Sequence, residues 1–178
     1  MRGTWAAAIL ALALAASRVA HAAPEPGPAA DPLAAVDSAL DAWRLDEAQA
    51  ALAKASASGP AALRLEVQRA RLDAMRSRFG EVVKRLGPIV AKGSGEALFE
   101  ARVVLGEALR ALGKKDEAFK VLDAMAEDYN DDRVTTAEGL VWLGVGLRLT
   151  DYPKNAHRVF REALEKDPTL VLAKRAWA

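Results

Sequence analysis

Residues 140–168 read LVWLGVGLRLTDYPKNAHRVFREALEKDP, and this stretch decides the fold. Leu140, Leu143 and Leu147 recur at the three-to-four-residue spacing that lines one helical face, and Ala156, Phe160 and Ala163 do so again. Asp151 to Asn155 breaks the pattern between the two runs, and Pro168 closes the second. The stretch therefore predicts two antiparallel helices joined by a short turn. Gly144, Ala156 and Ala163 are small enough to let the helices approach closely, while Leu143, Leu147 and Phe160 fill the space beside them.

The same arrangement recurs towards the N-terminus. Gly59-Pro60, Gly93-Ser94-Gly95 and Asn130-Asp131-Asp132 separate long apolar-periodic segments. Each segment also carries a weaker inner break, at Trp43 to Asp46, Arg78 to Gly80, Gly113 to Asp116 and Asp151 to Asn155. The residue that opens each second helix is Ala48, Val82, Ala118 or Ala156, at intervals of 34, 36 and 38 residues. So regular an interval predicts an all-α chain of about four antiparallel helix pairs, over 31–60, 63–92, 99–132 and 137–170. A single pair cannot bury both of its faces, so each is expected to stack on the next. Asp31-Pro32 reads as a helix start, Asp116 as the cap of the helix carrying Ala118, and Thr135-Thr136-Ala137-Glu138 as a capping box. Gly87-Pro88 is expected to kink its helix or end it early, because Pro removes a hydrogen bond and disfavours helical geometry at the residue before it.

Period and residue types together resemble the tetratricopeptide repeat family. Leu143-Gly144 stands where that family places its Leu-Gly pair, with Leu140 and Leu147 at its bulky positions. Ala156, Phe160, Ala163 and Pro168 follow its A-x-x-x-F spacing, second small residue and closing Pro. The preceding pair is similar through Leu105-Gly106, Leu109, Gly113, Ala118 and Leu122, and departs at Arg102, Met125 and Asn130. The first pair keeps Ala48, Leu52, Ala55 and Pro60 but has Ala35-Val36 in place of Leu-Gly, and the second has Arg69-Ala70 there. The resemblance spans residues 31–170 in period and is specific from about residue 99 onward. It implies a superhelical solenoid.

The N-terminus carries a different signal. Arg2, an uncharged run from Gly3 to Ala16, and Ala20-His21-Ala22 have the layout of a secretory signal peptide over 1–22, with cleavage expected after Ala22. The run is too short to span a bilayer, so no membrane span is expected after cleavage. Residues 23–30, rich in Pro and Ala, read as a flexible leader, and the expected location is periplasmic or secreted. Arg2 and Arg18 are the only charged residues removed, so 25 basic residues fall to 23 against 24 acidic, a net charge of −1. That balance argues against nucleic-acid binding, which needs a basic footprint. Residues 171–178 read as the start of a capping or further repeat helix, with Trp177 where the next Leu-Gly pair would fall; continuation beyond Ala178 is the expectation.

Catalytic and metal chemistry find little material. The chain has no Cys, and His157 is the one His left after cleavage, so no triad or zinc cluster is expected, and no cofactor is expected. The acidic groups Glu127-Asp128 and Asp131-Asp132 lack Ca²⁺-loop spacing and read as a solvated helix end. Trp142 and Trp177, amid Leu and Ala at helical spacing, read as core rather than as ligand platforms.

In the resembled family the first helix of each pair lines a groove. Carried over, that face comprises Arg64, Val67 and Arg71 in the second pair, and Glu100, Val103, Glu107 and Arg110 in the third. Glu138, Val141, Val145 and Arg148 supply it in the fourth. Val among alternating charges suits an extended peptide or a partner helix. The expected function is therefore an exported protein–protein interaction scaffold, not an enzyme. The alternative is the N-terminal recruiting region of a longer secreted hydrolase, such as a metallopeptidase, whose catalytic part is not in this chain.

Overall fold

The computed structural model describes Asp31 and residues 33–170, all within the unit that runs from Asp31 onward. The expected signal peptide, the leader, Pro32 and the segment 171–178 with Trp177 lie outside the described residues. Among the described residues all regular structure is helical. The α-helices are α1 (Ala34–Asp41), α2 (Leu45–Lys54), α3 (Pro60–Met75), α4 (Phe79–Val90), α5 (Phe99–Ala111), α6 (Lys115–Asn130), α7 (Ala137–Leu149) and α8 (Pro153–Lys166), with a single 3-10 turn at Glu96–Leu98 leading into α5.

Each helix packs on the next in sequence, and the odd-numbered helices also touch one another, α1 on α3, α3 on α5 and α5 on α7. The core follows that order in three clusters. Leu33, Val36, Leu40, Ala48 and Leu52 with Leu65 and Leu72 form one; Val67, Val82, Leu86, Val104, Leu105 and Leu109 form another. The third gathers Phe99, Val103, Leu122, Met125, Val141, Leu143 and Phe160.

The four turns inside the pairs share one geometry. Trp43, Ser77, Gly113 and Asp151 all have φ between 57° and 78°. One residue later the backbone N–H of Arg44, Arg78, Lys114 and Tyr152 closes back on the carbonyl of Ala39, Asp73, Leu109 and Leu147, at 2.8–2.9 Å. This left-handed closure satisfies carbonyls that a helix end leaves without a partner. Each left-handed residue lies five positions before Ala48, Val82, Ala118 or Ala156, so the interval read from the small residues is also an interval of backbone conformation.

Close approach between helices occurs where glycine permits it. A Cβ on Gly144 would lie within 3.0 Å of three atoms of the Phe160 ring, and one on Gly106 would meet the Leu122 side chain at 2.9 Å. Met125, larger than the family pattern suggests, is fully buried; a Cβ on Gly146 would stand 3.1 Å from its sulfur, so a missing side chain on α7 makes room for an oversized one on α6.

Pro88 lies inside α4, which runs two residues past it and ends at Val90. Three local expectations are corrected. Asp116 is not a cap; Lys114 holds that position, and Asp116 lies in the first turn of α6, where its charge complements the helix dipole. The capping residue of α7 is Thr136 rather than Thr135, its hydroxyl accepting from the Gly139 N–H at 2.9 Å, and Glu138 plays no part in the box. Asp128 is not solvated. It is 3 % exposed and accepts from the buried Arg102 at 2.8 Å and from the Gly95 N–H at 3.1 Å, with the Arg102 guanidinium 5.9 Å from the centre of the Phe99 ring. Arg102 thus fills the volume of the bulky residue that the family pattern would place there, and Asp128 neutralises it.

Candidate interaction cleft

Direct contact of α5 with both α3 and α7 leaves a cleft of about 420 Å³ over α5. Leu63, Arg64 and Val67 supply one wall from α3. Glu96 and Ala97 from the 3-10 turn and Glu100 from α5 line it between the walls, and Thr136, Glu138, Gly139 and Trp142 supply the opposite wall from the start of α7.

Glu96 organises the rim. Its carboxylate accepts from the backbone N–H groups of Thr135 and Thr136, at 2.9 and 3.1 Å, and from their hydroxyls, at 2.9 and 3.2 Å. It is the reciprocal partner of the α7 cap, a role the sequence pattern assigns to Glu138, and it arrives from 40 residues upstream. The missing Cβ of Gly139 leaves space for it, since a Cβ there would fall within 3.0 Å of the carboxylate. Burial pushes the Glu96 carboxyl up, but the hydrogen bonds from Thr136 and Thr135 outweigh this and hold it below its ordinary value of 4.5.

Glu100 is in the opposite condition. Its side chain is 18 % exposed, and burial raises its pKa; the charges of Glu138 and Asp37 add to the rise, while Arg71 and Arg64 oppose it. Arg71 stands 3.6 Å away, too far for a hydrogen bond, and is shared with Asp41 at 3.1 Å. Glu107, one helical stretch further along α5, is solvent-accessible yet surrounded by enough protein that desolvation also raises its carboxyl, against the pull of Arg71.

Of the residues named from the sequence, the cleft brings together Arg64, Val67, Glu100 and Glu138. Arg71 flanks it through its ion pair with Glu100. Val67, Val103 and Val141 are each 2 % exposed, so they lie beneath this face and belong to the core clusters. Val145 is half-buried against the third cluster, and Arg148 and Glu107 are exposed. Arg110 faces elsewhere: it donates to the Leu149 carbonyl and lines a smaller cleft of about 260 Å³ with Phe119 and Asp151. Sequence reasoning missed Leu63, Glu96 and Ala97. It also placed Trp142 in the core, whereas Trp142 is half-buried, packing on the third cluster with one side and walling the cleft with the other. The position of Trp142 beside Val141 and Leu143, both buried, left it out of phase with the buried stripe of α7, and that was the available signal.

Among the described residues no helix is long and apolar enough to cross a membrane, and no group of three or more His, Asp or Glu is placed to hold a metal ion. No family model, no curated protein and no solved structure matches the chain.

Proposed function

We propose that residues 31–170 form a tetratricopeptide-like superhelical stack in an exported protein, and that its first-helix face docks a polypeptide. The reading is supported by the recurrence of one left-handed turn inside every pair, at intervals of 34, 36 and 38 residues, and by direct contacts between successive first helices. The observation that carries the function is the cleft over α5, where an indole, a leucine and carboxylates face a common space of about 420 Å³. Pockets of that size and mixed lining suit side chains presented by a ligand, and aromatic anchors dominate protein recognition. Catalysis is not part of this role; export rests on the N-terminal signal read from the sequence.

Selection of displayed random peptides on the full chain tests the proposal. Enriched peptides should lose binding on Trp142→Ala and on Ala97→Trp, which fills the mouth from an exposed position without disturbing the core. They should tolerate Arg161→Ala on α8, exposed and outside the cleft. Failure to enrich any peptide, or enrichment of peptides indifferent to Ala97→Trp, would reject the docking face.

A further inference from the structure

The charges around the cleft do not balance. Arg64, the one basic residue lining it among the described residues, already donates to Asp31 at 2.6 Å and to Asp37. Those two carboxylates offset its charge, and at Glu100 its pull is the last and smallest of the opposing contributions. Glu96 has four hydrogen bonds, yet all come from Thr135 and Thr136, which are neutral, so its negative charge is shared and not cancelled. Glu100 has one ion pair among the described residues, with Arg71 at 3.6 Å, and Glu138 has none there. Three carboxylates thus face a space walled by Leu63, Val67 and the Trp142 indole.

Resting on the docking reading above, we propose that the cleft selects a basic segment of its partner, seating a lysine or arginine side chain between Trp142 and the Glu100–Glu138 pair. Such a side chain matches both halves of the site. Its methylene stem covers Leu63 as amphipathic side chains do, its cation stacks against the indole face, and its charge relieves the mutual repulsion of Glu100 and Glu138. An acidic side chain in the same place would meet three carboxylates with its hydration partly removed, which selects against it. The desolvation that disfavours Glu100 alone makes a cationic partner worth more there than at an open surface.

The experiment uses two fluorescein-labelled, end-blocked peptides of identical leucine and alanine sequence, one with two lysines and one with two glutamates at the same positions. Binding to the full chain is read by anisotropy. The lysine peptide should bind at least tenfold more tightly than the glutamate peptide and weaken as salt rises. Combined Glu100→Gln and Glu138→Gln should weaken it at least tenfold, while Glu165→Gln, exposed on α8, should leave it unchanged. Equal binding of the two peptides, an unaltered affinity in the double variant, or no saturable binding of the lysine peptide each overturns the inference. If displayed peptides still depend on the cleft in any of those cases, the docking face stands and only its preference for a cation falls.

Discussion

Gly144 meets Phe160 at the tightest helix contact on α7, and the absence of one methyl group is what allows α7 and α8 to lie as they do. Gly144→Ala should therefore destabilise the protein by about 1–3 kcal/mol, the usual cost of overpacking. Gly80, in the first turn of α4, has open space for at least 4 Å around the point where a methyl would stand, and Gly80→Ala should stabilise by about 0.5–1 kcal/mol because alanine loses less chain entropy in a helix. Urea midpoints of the two variants read the contrast directly; a neutral Gly144→Ala would mean that α7 and α8 are not in this register. Both glycines are equally plain in the sequence. The Leu-Gly pattern singled out Gly144, and its neighbour Phe160 was named from the A-x-x-x-F spacing, so this contact was legible. The pairing of Gly146 with Met125 was not, since it joins positions 21 residues apart that no local pattern connects.

At the scale of elements, the four inner turns were legible because breakers and interrupted periodicity mark where a helix must stop. Three of the four left-handed positions are nonetheless occupied by Trp43, Ser77 and Asp151 rather than glycine, a conformation that residue type alone does not announce. The α7 cap shows the limit of local reading more sharply. Sequence pattern offers Thr135 and Glu138 as a box; Thr136 and Glu96 form it, because the carboxylate from the 3-10 turn reaches both threonines at once. Glu96→Gln should lower stability at neutral pH by about 1–2 kcal/mol, within the range for lost caps and charged hydrogen bonds. The pH dependence has a definite sign. A carboxyl held below its ordinary value of 4.5 contributes stability above that pH and loses it as pH falls through the folded value. The gap between the parent protein and Glu96→Gln, measured by urea unfolding at a series of pH values, should thus be full at pH 7 and close below about 4.5. Glu100 acts in the reverse sense, its raised carboxyl costing stability as pH rises above the unfolded value, and that is why the difference between the two proteins, rather than either curve, carries the test.

Across the whole described unit, stability is shared among three apolar clusters and a buried ion pair that ties α5 to α6, with the Gly95 N–H from the segment before α5 on the same carboxylate. Arg102 and Asp128 are 5 % and 3 % exposed, so Arg102→Met leaves a carboxylate buried with its main cation removed and should cost about 3–5 kcal/mol. Lys114→Met, which breaks only the exposed pair with Glu117, should cost no more than about 1 kcal/mol. Thermal unfolding of the two variants separates a structural pair from a surface one. By itself the sequence determined that the chain is helical, where its helices turn, and that Gly144 and Gly106 stand at close contacts, because helical periodicity, breakers and small residues act over a few positions along one chain. Only the tertiary structure decided that Glu96 caps α7, that Asp128 is buried, that Val67, Val103 and Val141 lie under the face they were expected to line, and that Trp142 walls a cleft with three carboxylates. Each of those depends on which side of a helix meets a neighbour from another pair, and a rotation of one residue, about 100°, changes the answer without altering any local pattern.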